Sequence, residues 1–321
     1  MLEKISNFFL QIIVSLVKGF LYILPRRIAL FVGSSFAKFI YSLSLMTPYR
    51  NHIQRNIKET LPVPESWAKK EAKIHIIKLV KNIVDFLRIS KIKKSNINKI
   101  IELKNPEYFE DALKENKGVI LVSAHYGCWE LLGVALKLNF NNPLNVIVQR
   151  PSNPIFDKLF YNTRKIFGVN TYYNTDGVQG LRPLFRALEN NETIGFLIDQ
   201  HGESEDTFGR FFGKVVSIPS GPAVFAYRTK APIVPVFIRR LNNEKHEIVF
   251  YPHIMTGDNE KNIEIYKTSQ KLYGIIEKFI KDNPDEWLWI YRRWNKLSQQ
   301  GMEIAENIEK HISKEFSYEK N

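Results

Sequence analysis

The stretch that most limits what this chain can fold into runs from Val119 to Gly133. Five residues suited to a buried strand, Val119 to Ser123, stop at the small-residue turn Ala124-His125-Tyr126-Gly127, and an amphipathic, helix-like segment follows from Trp129. This is a strand, a turn and a helix, with titratable groups at the junction. The same unit recurs downstream. Strands are expected at Val119–Ser123, Leu144–Gln149, Thr193–Ile198, Ile233–Ile238 and Glu247–Tyr251, and helices at Trp129–Leu138, Pro154–Phe167, Val178–Glu189, Pro219–Lys230 and Asn262–Lys281. Strands that alternate with helices predict an α/β fold: a mostly parallel sheet flanked by helices on both faces. Ligands of such sheets sit in the crevice beyond the carboxyl ends of the strands.

Polar residues fall at three successive strand ends: His125, then Arg150, then Asp199-Gln200. A carboxylate on one imidazole nitrogen makes the other a better base toward a hydroxyl, and the nearest candidate in sequence is Glu130. The bland reading stands beside this one, since histidines near strand ends are often structural and a glutamate in a first helical turn is ordinary dipole chemistry. Convergence of three strand ends on one crevice favours the chemical reading. Arg150 is placed to fork onto a phosphate or to stabilise a developing oxyanion. The loop Phe208-Gly209-Arg210-Phe211-Phe212-Gly213 reads as an exposed aromatic loop suited to an apolar ligand, since rings left in water forgo roughly 1.5 to 3 kcal/mol each. The tryptophans and arginines of Trp287 to Trp294 fit either a phosphate-bearing lipid or packing on the sheet.

Composition narrows the partners. The 321 residues carry 46 lysines and arginines against 33 acidic residues, a net +13 that favours an anionic partner. The single cysteine, Cys128, rules out an intrachain disulfide framework and is read as a small packed side chain. Neither a glycine-rich phosphate loop nor a dinucleotide fingerprint occurs, so no nucleotide cofactor is indicated. Residues 8–24 form an apolar run closed by Pro25-Arg26-Arg27, and a second run covers Ile28 to Met46. Lys18 and Lys38 interrupt them, and at a bilayer centre each would cost about 2.5 to 3.5 kcal/mol. Helices lying in the membrane interface are therefore expected over a span, with a soluble helical hairpin as the alternative. The expected division is residues 1–48 as apolar membrane-associated helices and 49–321 as the main domain, with a long amphipathic helix from near Ser66 and a solvated loop from Lys91 to Lys99.

His125-Tyr126-Gly127-Cys128-Trp129-Glu130 resembles the His-x4-Glu motif of the lysophospholipid-acyltransferase superfamily, and in particular the bacterial lipid A biosynthesis (lauroyl/myristoyl) acyltransferase family. The similarity continues in order through Arg150-Pro151, Asp199-Gln200, Phe211-Phe212-Gly213, Ala231-Pro232, Val234-Pro235 and Trp287 to Trp294, and includes Arg55-Asn56. It departs at Cys128, Glu286 and Tyr291, where the family commonly has Asn, Gln and His, and leaves His125 and Glu130 intact. The resemblance implies a glycerol-phosphate-acyltransferase-like fold. It implies an enzyme that moves a fatty acyl group from a thioester, on acyl carrier protein or coenzyme A, to a hydroxyl of a phosphorylated glycolipid at the inner membrane, with the catalytic domain facing the cytoplasm. His125 would be the general base and Glu130 its orienting partner, with no acyl-enzyme. Arg150, Asp199, Phe211, Phe212, Gly213, Arg292 and Arg293 would contact substrate. No metal, no cofactor beyond the thioester co-substrate and no nucleic-acid partner are implied. A related acyltransferase for another glycolipid or phospholipid, and a non-catalytic protein that binds anionic membranes, are the other readings.

Overall fold

A computed structural model describes residues 2–43, 46–201 and 207–294, with positions 303, 306, 307 and 310 beyond them. Its strands are β1 (Ile101–Lys104), β2 (Val119–Ser123), β3 (Leu144–Val148), β4 (Val169–Tyr173), β5 (Thr193–Leu197), β6 (Phe208–Phe211), β7 (Lys214–Ser217), β8 (Ile233–Arg240) and β9 (His246–Phe250). Seven form one sheet in the order β1-β9-β8-β2-β5-β3-β4, parallel throughout except at β8 and β9. The pair β6 and β7 is a separate antiparallel hairpin. The helices are α1 (Leu2–Ile23), α2 (Arg26–Ser42), α3 (Thr47–Thr60), α4 (Glu65–Leu87), α5 (Glu107–Lys114), α6 (Trp129–Phe140), α7 (Pro154–Ile166), α8 (Gly177–Glu189), α9 (Gly221–Thr229) and α10 (Lys261–Asp282).

All five residues of β2 are buried because it is a central strand covered on both faces. Its alternation splits the core in two. Ile120 and Val122 join the cluster under α8, α9 and α10, while Val119 and Leu121 join the one under α5 and α6. The expected α/β sheet is therefore present, and each of the five expected strands and helices is found within a few residues of its place. The sequence reading missed β1 and β4, which are the two edges of the sheet, where polar residues interrupt the apolar pattern. It also read Lys91 to Lys99 as a plain loop, where two short 3-10 turns, Ile89–Lys91 and Ile97–Lys99, bury Ile89 and Ile97. The hairpin overturns the picture of an exposed aromatic loop. Phe208 and Phe211 are fully buried, Phe211 stands edge-on to Tyr273 and Trp287, and the turn is made by Phe212 and Gly213 at φ 50° and 73°.

At the N-terminus α2 lies close against α4 through small residues at four-residue spacing, Ala29, Gly33 and Ala37; a Cβ on Gly33 would stand 2.7 Å from Val84 Cγ2. Charges reinforce this contact. Arg26 forks onto Asp85 of α4 with both bonds at 2.8 Å, and Asp85 also meets Arg240 of β8 at 2.8 Å and His246 of β9 at 2.9 Å. Burial works against the Asp85 charge, but these cations and hydrogen bonds hold its carboxyl well below the usual range. Arg88 donates to the Leu21 carbonyl and so fixes the end of α1. The rest of α1 is different. Its segment Ser6–Ile23 is long and apolar enough to cross a membrane, and only 6% of it is buried against the protein. Phe8, Phe9, Ile12, Ile13, Leu16, Val17 and Phe20 on α1, with Ile28, Phe31, Phe36 and Phe39 on α2, are exposed.

Candidate active site

His125 leaves the end of β2 in a turn that the backbone could make in few other ways. Gly127 sits at φ 58°, and a Cβ there would lie 2.4 Å from the Ile238 carbonyl oxygen, so only glycine fits. The turn is held from its other side by the segment after α10. Tyr126 bridges Trp287 antiparallel, Leu288 N donates to the His125 carbonyl at 3.0 Å, and Gly127 N donates to that of Glu286 at 3.1 Å. That segment is buttressed in turn by α3, whose Asn56 donates to the Trp289 and Tyr291 carbonyls at 2.7 and 2.9 Å.

The imidazole Nδ1 of His125 lies 2.8 Å from Asp199 Oδ1, which also accepts the His125 backbone N–H at 2.9 Å. Asp199 follows β5, the parallel neighbour of β2, so the pairing Ser123 with Leu197 brings the two strand ends side by side. Its other oxygen, Oδ2, accepts the Trp287 indole N–H at 2.8 Å. Burial alone would push the Asp199 carboxyl up, but His125 and the hydrogen bonds from His125 and Trp287 outweigh it and hold the group below the usual carboxylate range. A buried anion on Nδ1 fixes the tautomer and leaves Nε2 without a hydrogen-bond partner among the described residues, with the Trp129 ring edge-on at 5.2 Å.

Glu130 does not occupy the place the sequence reading gave it. It is the second residue of α6, and its side chain pairs with Arg164 in the last turn of α7, through Oε2 to Nε at 3.0 Å and a second bond from Nη2 to Oε1. The pair is dictated by two helix ends, an anion at an N-terminus and a cation at a C-terminus. Beside it an apolar cavity runs between the sheet and α6, lined by Leu121, Leu132, Gly133, Leu144, Val146 and Gly195, with Glu130, Arg164, Ser123 and Trp129 at its polar end.

The other expected contacts are scattered. Arg150 is exposed, 3.0 Å from Asp157, and stacked over Tyr173 with its guanidinium 3.8 Å from the ring centre. Arg292 is exposed, whereas Arg293 is buried and spends its donors on the Ser217 carbonyl at 2.9 Å and His201 Nδ1 at 3.0 Å. Burial and the Arg293 charge lower the pKa of His201 and keep it a neutral acceptor. Arg293 is therefore not presented to a phosphate, and Phe211 supports the Trp287 segment from the core rather than lining the crevice. Cys128 is buried with Sγ 3.5 Å from the Asn82 carbonyl, and burial pushes its thiol far above the usual range. It is no nucleophile. Trp287 and Arg164 were missed as site residues; the first was visible only as part of an aromatic cluster, the second only as a basic residue near a helix end.

Comparison with known proteins gives one family. Residues 3–296 match the family described as bacterial lipid A biosynthesis acyltransferase. Among curated proteins the chain is 23% identical over 247 residues to a lipid A biosynthesis acyltransferase of Haemophilus influenzae, covering 75% of this chain and 74% of that one. It is 24% identical over 203 residues to the lipid A biosynthesis palmitoleoyltransferase of Escherichia coli, covering 62% and 63%. It is 23% identical over 192 residues to a phosphatidylinositol mannoside acyltransferase of Mycolicibacterium smegmatis, covering 59% and 60%.

Proposed function

Because this chain belongs to the bacterial lipid A biosynthesis acyltransferase family and is an acyltransferase, we propose that it moves a fatty acyl group from an acyl thioester to a hydroxyl of a lipid A precursor at the cytoplasmic face of the inner membrane. The observation that carries the reading is the His125–Asp199 pair, whose imidazole stands against Trp129, a residue of the apolar cavity's lining. In the proposed step the acceptor hydroxyl donates to His125 Nε2. As its oxygen attacks the thioester carbonyl, the proton passes to the imidazole, and Asp199 stabilises the resulting imidazolium. The tetrahedral intermediate expels the thiolate, His125 returns the proton to the sulfur, and ester and thiol are released. No covalent enzyme intermediate is needed, and Cys128 offers none. The cavity beside Trp129 suits the acyl chain, with the Glu130–Arg164 pair closing its polar end. The exposed Arg150 suits an acceptor phosphate, and the donor is acyl carrier protein or acyl coenzyme A.

A second acceptor class follows from the similarity to the mannoside acyltransferase: another membrane glycolipid with a free sugar hydroxyl. The two separate in one experiment. Purified protein is given acyl-carrier-protein or coenzyme A thioesters with a lipid A precursor or a phosphatidylinositol mannoside, and products are read by mass spectrometry beside His125→Ala. Transfer to the lipid A precursor that disappears in the variant supports the reading; transfer to the mannoside alone reassigns the acceptor, and transfer that survives in the variant removes His125 as the base.

A further inference from the structure

The exposed helix α1 is not apolar all round. Asn7, Gln11, Ser15 and Lys18 recur at helical spacing, and with Val14 they form one stripe on a stretch whose other residues, from Phe8 to Val17, are Phe, Ile, Leu and Val. That stripe lines a groove against α7, with Asn7, Val14 and Lys18 half-buried and Gln11 and Ser15 exposed. Across a groove from it stand Lys158, Asn162 and Thr163 of α7, flanked by Ile155, Leu159 and Ile166. The two helices meet near the start of α7, where Asn153 Nδ2 lies 3.3 Å from Asn7 Oδ1, and stand apart elsewhere, leaving about 590 Å³. Lys18 and Lys158 line this one space, and neither meets a carboxylate among the described residues; the nearest acid in sequence, Asp157, is taken by Arg150 and Tyr173.

Two lysines that line one groove and meet no carboxylate among the described residues make it a positive surface that favours an anion. The groove's edges, Phe8 on α1 with Ile155 and Ile166 on α7, are apolar and continuous with exposed Phe156 and the outer face of α1. One ligand chemistry satisfies both features: a phosphate with hydrocarbon attached. We propose that the groove between α1 and α7 binds one anionic glycerophospholipid, its phosphate between Lys18 and Lys158, its ester and glycerol oxygens on Gln11, Ser15 and Asn162, and its chains along Phe8, Ile155 and Ile166. The site shares no residue with the cavity beside Trp129 and so holds a resident lipid, not the reacting one. It would also explain how an apolar helix tolerates Lys18. The proposal rests on the membrane-surface reading of α1.

The test uses the full chain reconstituted in nanodiscs of phosphatidylcholine with phosphatidylglycerol and released for native mass spectrometry. The wild type is expected to retain one phosphatidylglycerol per chain. Lys18→Ala with Lys158→Ala should lower its apparent affinity about 25-fold, roughly fivefold per lysine. A charge-matched control, Lys117→Ala with Lys271→Ala, should match the wild type. Retention unchanged in the double variant overturns the site, as does displacement of the bound mass by millimolar inorganic phosphate, which would make it a free-phosphate site. Flotation on liposomes, scored separately, reports whether α1 engages a membrane at all, so failure of that reading is distinguishable from failure of the lipid site.

Discussion

Asp199 holds His125 from two directions with one oxygen, taking the backbone N–H at 2.9 Å and standing 2.8 Å from Nδ1 of the ring. A carboxylate so placed fixes the ring's rotation, tautomer and charge together, which makes Asp199 the positioning residue for the proposed base.

Replacing Asp199 with Asn should therefore lower kcat by about 10²- to 10⁴-fold with little change in KM. A near-normal kcat in the folded variant would remove Asp199 from the mechanism.

Glu130 is expected to behave as a structural partner of Arg164. Breaking that largely buried pair with Glu130→Gln should destabilise the protein by about 3 kcal/mol, read as a lowered thermal midpoint. Glu130→Gln combined with Arg164→Met should recover most of that loss, because no charge is left unpaired. If Glu130→Gln instead lowers kcat in folded protein while Arg164→Met does not, the carboxylate acts on His125 after all.

Glu71 and His75 sit four residues apart on α4, both buried. Burial raises the Glu71 carboxyl from an ordinary 4.5 to about 7 and lowers His75 from 6.5 to about 4. The signs oppose. A carboxyl raised in the fold makes no demand below pH 4.5 and costs stability as pH rises through 7, by roughly 3 kcal/mol in the limit. A histidine lowered in the fold costs nothing above 6.5 and destabilises as pH falls toward 4. Glu71→Gln should thus raise the thermal midpoint at pH 8 and lose that advantage by pH 5, and His75→Gln should give its larger relative benefit at pH 5. Equal shifts at both pH values would contradict the titrations.

Gly127→Ala should fail by geometry. The methyl group would meet the Ile238 carbonyl at 2.4 Å with φ at 58°, so the turn must move or β8 must. A loss above about 3 kcal/mol, or insoluble protein, is expected. A Gly133→Ala control, whose Cβ would have Leu144 Cδ2 at 3.8 Å, should remain folded.

How much of this was legible beforehand depends on how local the signal was. The central strands β2, β3, β5 and β8 announce themselves because strands buried on both faces are mostly apolar runs, and β9 shows itself through Ile248-Val249-Phe250, whereas β1 and β4 at the edges carry Glu, Lys, Asn and Thr and do not. His125 was legible as a strand-end histidine. Its partner was not, because the carboxylate five residues away in sequence is carried round onto the face of α6 that meets Arg164, and the one that reaches the ring lies just after β5, the neighbouring strand. Asp199 had been marked for the same crevice, but only strand order could say which residue it touches. The Phe208–Gly213 segment misled for the opposite reason: its composition looks like an exposed loop until the Trp287 segment covers it.

The clasp of Arg26 on Asp85, with Arg240 and His246 behind it, joins the helices that would meet the bilayer to β9 and to β8, the neighbour of the strand that leads to the proposed base. His125 therefore rides at a fixed height above α1 and α2, set by protein packing and not by the lipid. In the proposed reaction an acceptor hydroxyl would have to rise to that height. Acceptors would then be sorted by how far their reactive oxygen projects from the membrane plane as well as by what surrounds it, and the enzyme would work as a depth gauge.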